Sequence, residues 1–253
     1  MTVEDKKKEL RDVLERLNSG ENTEQVKKEA RELLETIDAR ELSEAEQMLI
    51  DEGLEEKELR HLCTAHLEAV AEELEALKKE VGPGHPLYTF IREHEIFLQL
   101  LDRLEEVKDE ILELNSYQEK PELISELQEL GEKLLETEKH HEREEEALFP
   151  GVDKTGVTGP TRIMRMEHED LWPQKKKLHA LAEGAGELDF EMFKNELEET
   201  VEYIVLTMRD HIFKEDNILY PAAKEMLKDE DWSRIREICD DIGYTELTPE
   251  ESL

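Results

Sequence analysis

The chain has 253 residues with 33 Lys and Arg against 68 Asp and Glu, which gives a formal net charge of −35. A surface this acidic repels phosphate backbones and anionic lipid headgroups, so we expect neither a nucleic acid nor a membrane as partner. No segment approaches the roughly 18 consecutive apolar residues of a membrane span, and no apolar signal-peptide core precedes residue 18. The two cysteines, Cys63 and Cys239, argue against a disulfide framework and suit a reducing compartment. Together these features predict a cytoplasmic protein.

Apolar residues three and four positions apart recur in almost every segment, and no alternating run is long enough for a strand. The sequence therefore predicts an all-α fold. In the first part of the chain we expect helices over about 3–18 and 22–37, followed by short helices that continue to about residue 80. Two glycines and a proline within 81–84 then break the pattern. This break marks the boundary of an N-terminal helical module, residues 1–81.

Four long helical segments follow the break, and short runs rich in glycine and proline separate them. The segments are about 87–115, 121–149, 160–182 and 189–220. Four long helices with short connections are typical of an up-down four-helix bundle. We therefore predict such a bundle over residues 85–228, preceded by the small helical domain. The last part, 229–253, is expected to hold a short helix near 231–240 and a frayed tail.

The second and fourth long segments share an eleven-residue frame. A single His-x-x-x-Glu spacing is weak, because about two chance occurrences are expected in a chain of this composition. A spacing of four nevertheless places both side chains on one helix face, where an imidazole and a carboxylate can bind a common metal. The two frames are His140-x-x-x-Glu144-x-x-x-Leu148-Phe149-Pro150 and His211-x-x-x-Glu215-x-x-x-Leu219-Tyr220-Pro221.

The first and third long segments each carry one histidine on an apolar face. The positions three, four and seven residues from His94 are all apolar, and a lone imidazole buried there would be costly without a partner. His168 shares its face with Met164, Leu171 and Leu178. One histidine from each of four helices, together with two glutamates, is typical of a dinuclear metal site in a bundle core. Mixed imidazole and carboxylate ligands suit iron, with manganese or zinc possible.

The chain resembles the hemerythrin-like (HHE cation-binding) domain over about residues 85–225. The matching residues are His94, His140-His141 with Glu144-Glu145 and Leu148-Phe149-Pro150, Glu167-His168, and His211 with Glu215 and Leu219-Tyr220-Pro221. This resemblance implies two non-heme iron ions, bridged by Glu144 and Glu215. The histidine ligands that it implies are His94, His140, His168 and His211. The first part, with Leu62-Cys63 and His66, resembles a helical domain of unknown function often found directly before such domains.

The third helix departs from the pattern of oxygen-carrying hemerythrins. These have a second histidine one turn after the first, whereas this chain has Trp172 followed by Pro173. Trp172 is a candidate wall of the site, and Pro173 is a candidate kink. Water, a carboxylate or His85 could fill the vacant position, with His85 reaching it only from a loop folded over the end of the bundle.

The choice between two adjacent histidines stays open. The apolar heptad Leu127, Leu134, His141, Leu148 directs His141 inward, whereas the Leu-Phe-Pro end of the repeated frame selects His140. The repeated frame favours His140 as the ligand.

The resemblance implies a non-heme diiron protein that binds O₂, NO or peroxide for sensing or for oxygen or iron handling. An enzyme that reduces NO or peroxide, or repairs iron centres, is the alternative, and a metal store or structural dimetal site is a second alternative. The N-terminal module, residues 1–81, is a candidate surface for a protein partner or for self-association.

Overall fold

The structure, a computed structural model, describes residues 71–253 together with positions 8 and 16. The helices predicted before residue 71, and with them Cys63 and His66, lie outside the described residues. The described part confirms the all-α prediction, since it contains helices and no strand. The helices are α1 (Ala71–Val81), α2 (Pro86–Leu112), α3 (Pro121–Glu136), α4 (Glu138–Arg143), α5 (Phe149–Asp153), α6 (Gly159–Glu183), α7 (Phe190–Lys214), α8 (Tyr220–Met226) and α9 (Asp229–Ile242).

Four arms of helix form the predicted bundle. The first arm is α2, the second runs from α3 through α5, the third is α6, and the fourth runs from α7 through α8. Helix α2 packs against α3 and α7, and α6 packs against the same two helices, so every arm has two neighbours. Two apolar clusters fill the bundle, one at each end, and the polar residues described below lie between them. No described helix has an apolar stretch long enough to span a bilayer.

A π-helical turn interrupts both the second and the fourth arm. The turns are Glu144–Leu148 and Glu215–Leu219, and each is followed within two residues by a proline, Pro150 or Pro221. Proline has no N–H and clashes with the carbonyl four residues earlier, so a regular α-helix is disfavoured there. The bonding pattern instead shifts to five residues: the Phe149 N–H donates to the Glu144 carbonyl. The repeated frame therefore gives each glutamate the start of a π-turn, a feature common at functional sites.

Proline does not end these helices where the sequence predicted. The second arm continues to Asp153 rather than ending at residue 149, and the fourth continues to Met226 rather than 220. Pro150 and Pro221 each lie in the first turn of the helix that follows the π-turn, where a missing N–H has no partner to lose.

The last residues pack onto the bundle, and the expectation of a frayed tail is wrong. Thr248 and Ser252 are buried. The Thr248 hydroxyl donates to Glu93 in α2, and the Thr89 hydroxyl donates to the Ser252 carbonyl at 2.9 Å. Burial of these hydrogen-bonding groups ties the segment to the first arm, because each would lose a partner if the tail detached.

A tight turn joins α1 to the first arm. Gly82 and Gly84 have φ values of 64° and 87°, a region that side chains with a Cβ rarely adopt. A Cβ on Gly84 would also lie 2.9 Å from the Arg236 guanidinium, which donates to the Gly84 carbonyl. The predicted break in the helical pattern therefore coincides with a turn that requires glycine.

Candidate metal centre

Four buried histidines, one from each arm, meet as two pairs. The Nε2 atoms of His94 and His140 are 3.0 Å apart, as are those of His168 and His211. None of the four residues is more than 4% exposed. Each Nδ1 atom contacts a carboxylate, which favours a proton on Nδ1 and a lone pair on Nε2. With this tautomer on both rings of a pair, the facing lone pairs repel unless a proton or a metal ion lies between them.

Two buried glutamates connect the pairs. The Oε2 atom of Glu144 is 3.5 Å from the Nε2 atoms of both His140 and His168. The Oε2 atom of Glu215 is 3.3 Å and 3.2 Å from the Nε2 atoms of the other two histidines. Each carboxylate therefore faces one histidine of each pair. This is the arrangement of a group that can bridge two metal ions.

These glutamates lack the partners that buried carboxylates normally have. The Oε2 atom of Glu144 and both oxygens of Glu215 are buried, and no hydrogen bond satisfies them among the described residues. A buried carboxylate without a partner costs several kcal/mol, on the order of the penalties for uncompensated ions. The ligand atoms of His94, His140 and Glu215 lie within 4.8 Å of one another, as do those of the second pair with both glutamates. The donors therefore fit two cations of the kind that imidazole and carboxylate bind.

Each histidine is held from behind by a carboxylate from another arm. These contacts orient the rings and increase their basicity, as is usual around metal-binding imidazoles. The Nδ1 contacts are His94 to Asp216 at 2.8 Å, His140 to Glu93 at 2.7 Å, His168 to Glu145 at 2.6 Å and His211 to Glu167 at 3.0 Å.

Two buried cations balance part of this charge. The Nη2 atom of Arg143 donates to both oxygens of Glu93, at 2.6 and 2.7 Å. Lys214 forms the matching contact to Glu167 on the other side. Burial raises the pKa of Glu93, but its contacts with His140 and Arg143 outweigh this effect and hold the pKa below its usual range. Two of the four outer carboxylates, Glu93 and Glu167, therefore have a buried cation as partner.

The two central carboxyls titrate in opposite directions. Burial, followed by the charge of Glu144, raises the pKa of Glu215 well above its usual value. Burial also acts to raise the pKa of Glu144, but His140 and His168 outweigh it and keep that pKa low. Without a metal ion, one carboxyl of the pair is ionised and the other holds a proton, because two charges so close cannot both be accommodated.

Aromatic residues at equivalent positions of the two frames cover the site. The Phe149 ring stacks on His168 with centroids 5.8 Å apart, and the Tyr220 ring stacks on His94 at 5.5 Å. The Tyr220 hydroxyl donates to Oε1 of Glu144 at 2.6 Å and lies 3.4 Å from the Nε2 atom of His140. One half of the site therefore has a polar hydroxyl where the other has only a phenyl ring.

Comparison with protein families agrees with this geometry. The description of the family whose model matches residues 85–223 is the hemerythrin HHE cation-binding domain. The chain belongs to this hemerythrin family. A family of unknown function, DUF438, matches residues 10–76, so the expected two-part resemblance is confirmed. A search of curated proteins found no significant match.

The structure of this hemerythrin-family chain brings together all six residues that the sequence singled out. They are His94, His140, Glu144, His168, His211 and Glu215. The structure places both of the adjacent histidines, His140 and His141, next to the site. Both are buried, with His140 against His94 and His141 stacked on His168.

The expectations for Trp172 and His85 do not fit the hemerythrin-family site. Trp172 is 37% exposed and lies under the Lys176 ammonium group, so it does not wall the site. Pro173 lies inside helix α6, and the kink expected there stays a prediction. His85 caps α2, where its Nδ1 accepts from the Leu87 N–H at 3.2 Å, and its ring contacts Trp232. It is therefore not placed to fill a metal position.

Acid sensitivity at His85 gives a first testable prediction. Burial lowers the pKa of this imidazole from 6.5 to about 4, so the folded chain resists a proton that the unfolded chain accepts. Stability is therefore lost as the pH falls below about 6.5. His85→Asn keeps a capping side chain but removes the titration. Without metal, the difference in free energy of unfolding between the variant and wild type should change by on the order of 1 kcal/mol from pH 7 to pH 5, after allowance for solvent screening. Urea denaturation at the two pH values measures this difference. A difference that is the same at both pH values would contradict this.

Sequence reasoning missed the role of the outer carboxylates. Each is adjacent in sequence to a candidate metal-binding residue, yet each contacts a histidine of a different arm. Glu93 precedes His94 but contacts His140, and Asp216 follows Glu215 but contacts His94. The available signal was an acidic residue directly beside each candidate ligand, but only the packing of the arms shows which histidine it reaches.

Proposed function

We propose that the bundle binds two non-heme iron ions, and that these bind a small diatomic or peroxide ligand. The observation that carries the proposal is the pair of glutamates, Glu144 and Glu215, whose unpartnered oxygens lie between two histidine pairs. His94 and His140 would hold one ion. His168 and His211 would hold the other.

The chain prepares these ligands in advance. The outer carboxylates fix the rings, so little side-chain freedom is lost when an ion binds. Burial lowers the pKa of His211 well below its usual value, and the neighbouring His168 adds to this effect, so the ring is the neutral form that binds metals.

Bound iron would supply the exchange of electrons with O₂, NO or peroxide, and the protein would control access and protons. Phe90 and Phe97 lie edge-on to His140, and Phe149 covers His168, so the centre is closed to bulk water by apolar rings. The Tyr220 hydroxyl is a neutral donor beside the centre. It holds Oε1 of Glu144 and leaves Oε2 to face the histidines.

A sensor is the function that this arrangement favours. The outer carboxylates bind each arm to a neighbouring arm, so a change at the centre would move several helices together. On this view the protein is cytoplasmic, and residues 1–81 provide the surface for a partner or for self-association. Turnover of NO or peroxide would instead make the protein an enzyme. If the protein neither changes shape on ligand binding nor turns over a substrate, it would be a metal store or have a structural metal site.

Metal analysis of anaerobically purified protein tests the proposal. We expect two iron ions per chain and a new visible absorption band when O₂ is added, because ferrous centres with imidazole ligands react with O₂. Removal of the metal with a chelator should abolish the band, and iron added back should restore it. Zinc, or no metal after iron-replete expression, would contradict the diiron proposal. Manganese would keep the bundle as a dimetal site but change its chemistry.

A further inference from the structure

A fifth buried histidine adjoins the second histidine pair. His141 is 4% exposed, and its ring lies parallel to that of His168, with centroids 3.8 Å apart and an angle of 6° between the planes. It also lies edge-on to His211 at 5.5 Å. One ring nitrogen from each of these three histidines lies within 4.8 Å of the other two. The His141 ring lies edge-on to His140 at 6.0 Å, but among the described residues the group of ligand atoms around His94 and His140 contains Glu215 and not His141.

One nitrogen of the His141 ring lacks a hydrogen-bond partner. Its Nδ1 atom is buried and has no hydrogen bond among the residues from 71 onward. Glu138 lies 3.2 Å away, but the buried Lys175 ammonium group already binds that carboxylate at 2.7 Å and donates to Thr137 as well. A buried polar atom without a partner costs about 1–3 kcal/mol, so a core histidine with no other role should not persist in this form.

The position of His141 suits a metal ligand. A neutral imidazole has one ring nitrogen with a free lone pair, and this is the form in which histidine binds metals. A metal ion held by His168 and His211 would have a nitrogen of His141 in the same group of ligand atoms.

We propose that His141 is the third imidazole ligand of the metal position formed by His168 and His211. The two positions would then differ: one would have three imidazoles, and the other, at His94 and His140, would have two. This rests on the proposed function above. The third arm has Trp172 where oxygen-carrying hemerythrins have a second histidine, and His141 of the second arm would supply that imidazole instead. The open coordination position would then no longer be expected beside His168.

The asymmetry has a chemical consequence. The position with three imidazoles would be nearly filled by the protein. The other position has a polar neighbour, the Tyr220 hydroxyl, 3.4 Å from the Nε2 atom of His140. Phe149, at the equivalent place beside His168, has no such group.

Cobalt(II) alone, titrated anaerobically into metal-free protein, tests the assignment. His141→Phe keeps a flat ring that can stack on His168 but has no nitrogen. We expect wild type to take up two cobalt ions per chain. The variant should bind one as tightly as wild type and the second at least about tenfold more weakly, because losing a ligand costs no less than losing an outer partner. Calorimetry and visible absorption measure both steps, and His85→Asn is the matched control, with two ions expected.

The possible results distinguish a failure of the His141 assignment from a failure of the proposed function. Two cobalt ions bound by His141→Phe with wild-type affinity would overturn the role of His141 but leave the dimetal site intact. No cobalt in wild type would instead defeat the proposed function, which separates the two failures. If circular dichroism shows that His141→Phe does not fold, His141→Ala is titrated with and without free imidazole. Recovery of the second ion by imidazole supports the assignment, and no recovery overturns it.

Discussion

Glu215→Gln is expected to make the metal-free protein more stable while it weakens metal binding at both positions. Burial and the charge of Glu144 raise the pKa of Glu215, so at pH 7 the folded state bears a cost that the unfolded chain does not. An amide removes this cost and can donate to Glu144. We expect the free energy of unfolding without metal to rise by about 1–3 kcal/mol. Metal content should fall from two ions to one or fewer, because the bridge is lost.

The order of stabilities should reverse when metal is added. Ligand binding stabilises only the protein that binds it, so wild type should melt above the variant with metal and below it without. The advantage of the metal-free variant should also grow as the pH rises from about 4.5, the ordinary value for a glutamate, through the raised pKa of Glu215. Thermal unfolding by circular dichroism measures both effects. Glu225→Gln, an exposed change of the same kind, should leave the midpoint unchanged. A metal-free Glu215→Gln protein that is less stable than wild type would contradict the argument.

The sequence predicts the arms of the bundle well because their apolar residues repeat at the helical period. Leu101, Leu127, Leu178 and Val201 come from the four arms and are all fully buried. The ends of the arms were less predictable. Proline normally limits a helix, yet the π-turns before Pro150 and the equivalent proline absorb its missing N–H. The rule that proline ends a helix gave the wrong helix ends here, because the π-turn hydrogen bonds that compensate for proline have no sequence signal of their own.

The candidate site was predictable where one helix carries two of its residues. The four-residue spacing of His140 and Glu144 fixes their common face, and the same holds for His211 and Glu215. Contacts between arms could not be deduced in this way. The heptad and the repeated frame gave different answers for His141 because each tests a single helix. Two adjacent residues point about 100° apart, and both can be buried when the arms on two sides supply partners.

The last prediction concerns Arg143, which is expected to stabilise the fold through Glu93. This residue is 1% exposed, and its guanidinium contacts the rings of Phe90 and Tyr244, at 5.5 and 4.7 Å from their centroids. Arg143→Met would leave the Glu93 carboxylate buried without its cation. Removing one partner of a buried ion pair costs about 3–5 kcal/mol, so we expect a loss of this size in urea denaturation. Lys120→Met, which breaks an exposed pair with Glu110, should leave the midpoint nearly unchanged.

A second substitution separates the charge effect from a packing effect. If the loss arises from the uncompensated carboxylate, Arg143→Met combined with Glu93→Gln should recover most of the stability, because the buried charge is then gone. Metal binding should not recover. The Nδ1 atom of His140 would no longer face a carboxylate, and the loss of such a partner lowers metal affinity by about 10–100-fold. A double variant as unstable as the single one would show that Arg143 acts through its contacts with Phe90 and Tyr244 instead. Recovery of stability without recovery of affinity would show that the chain retains this buried pair for the orientation of His140 rather than for the fold.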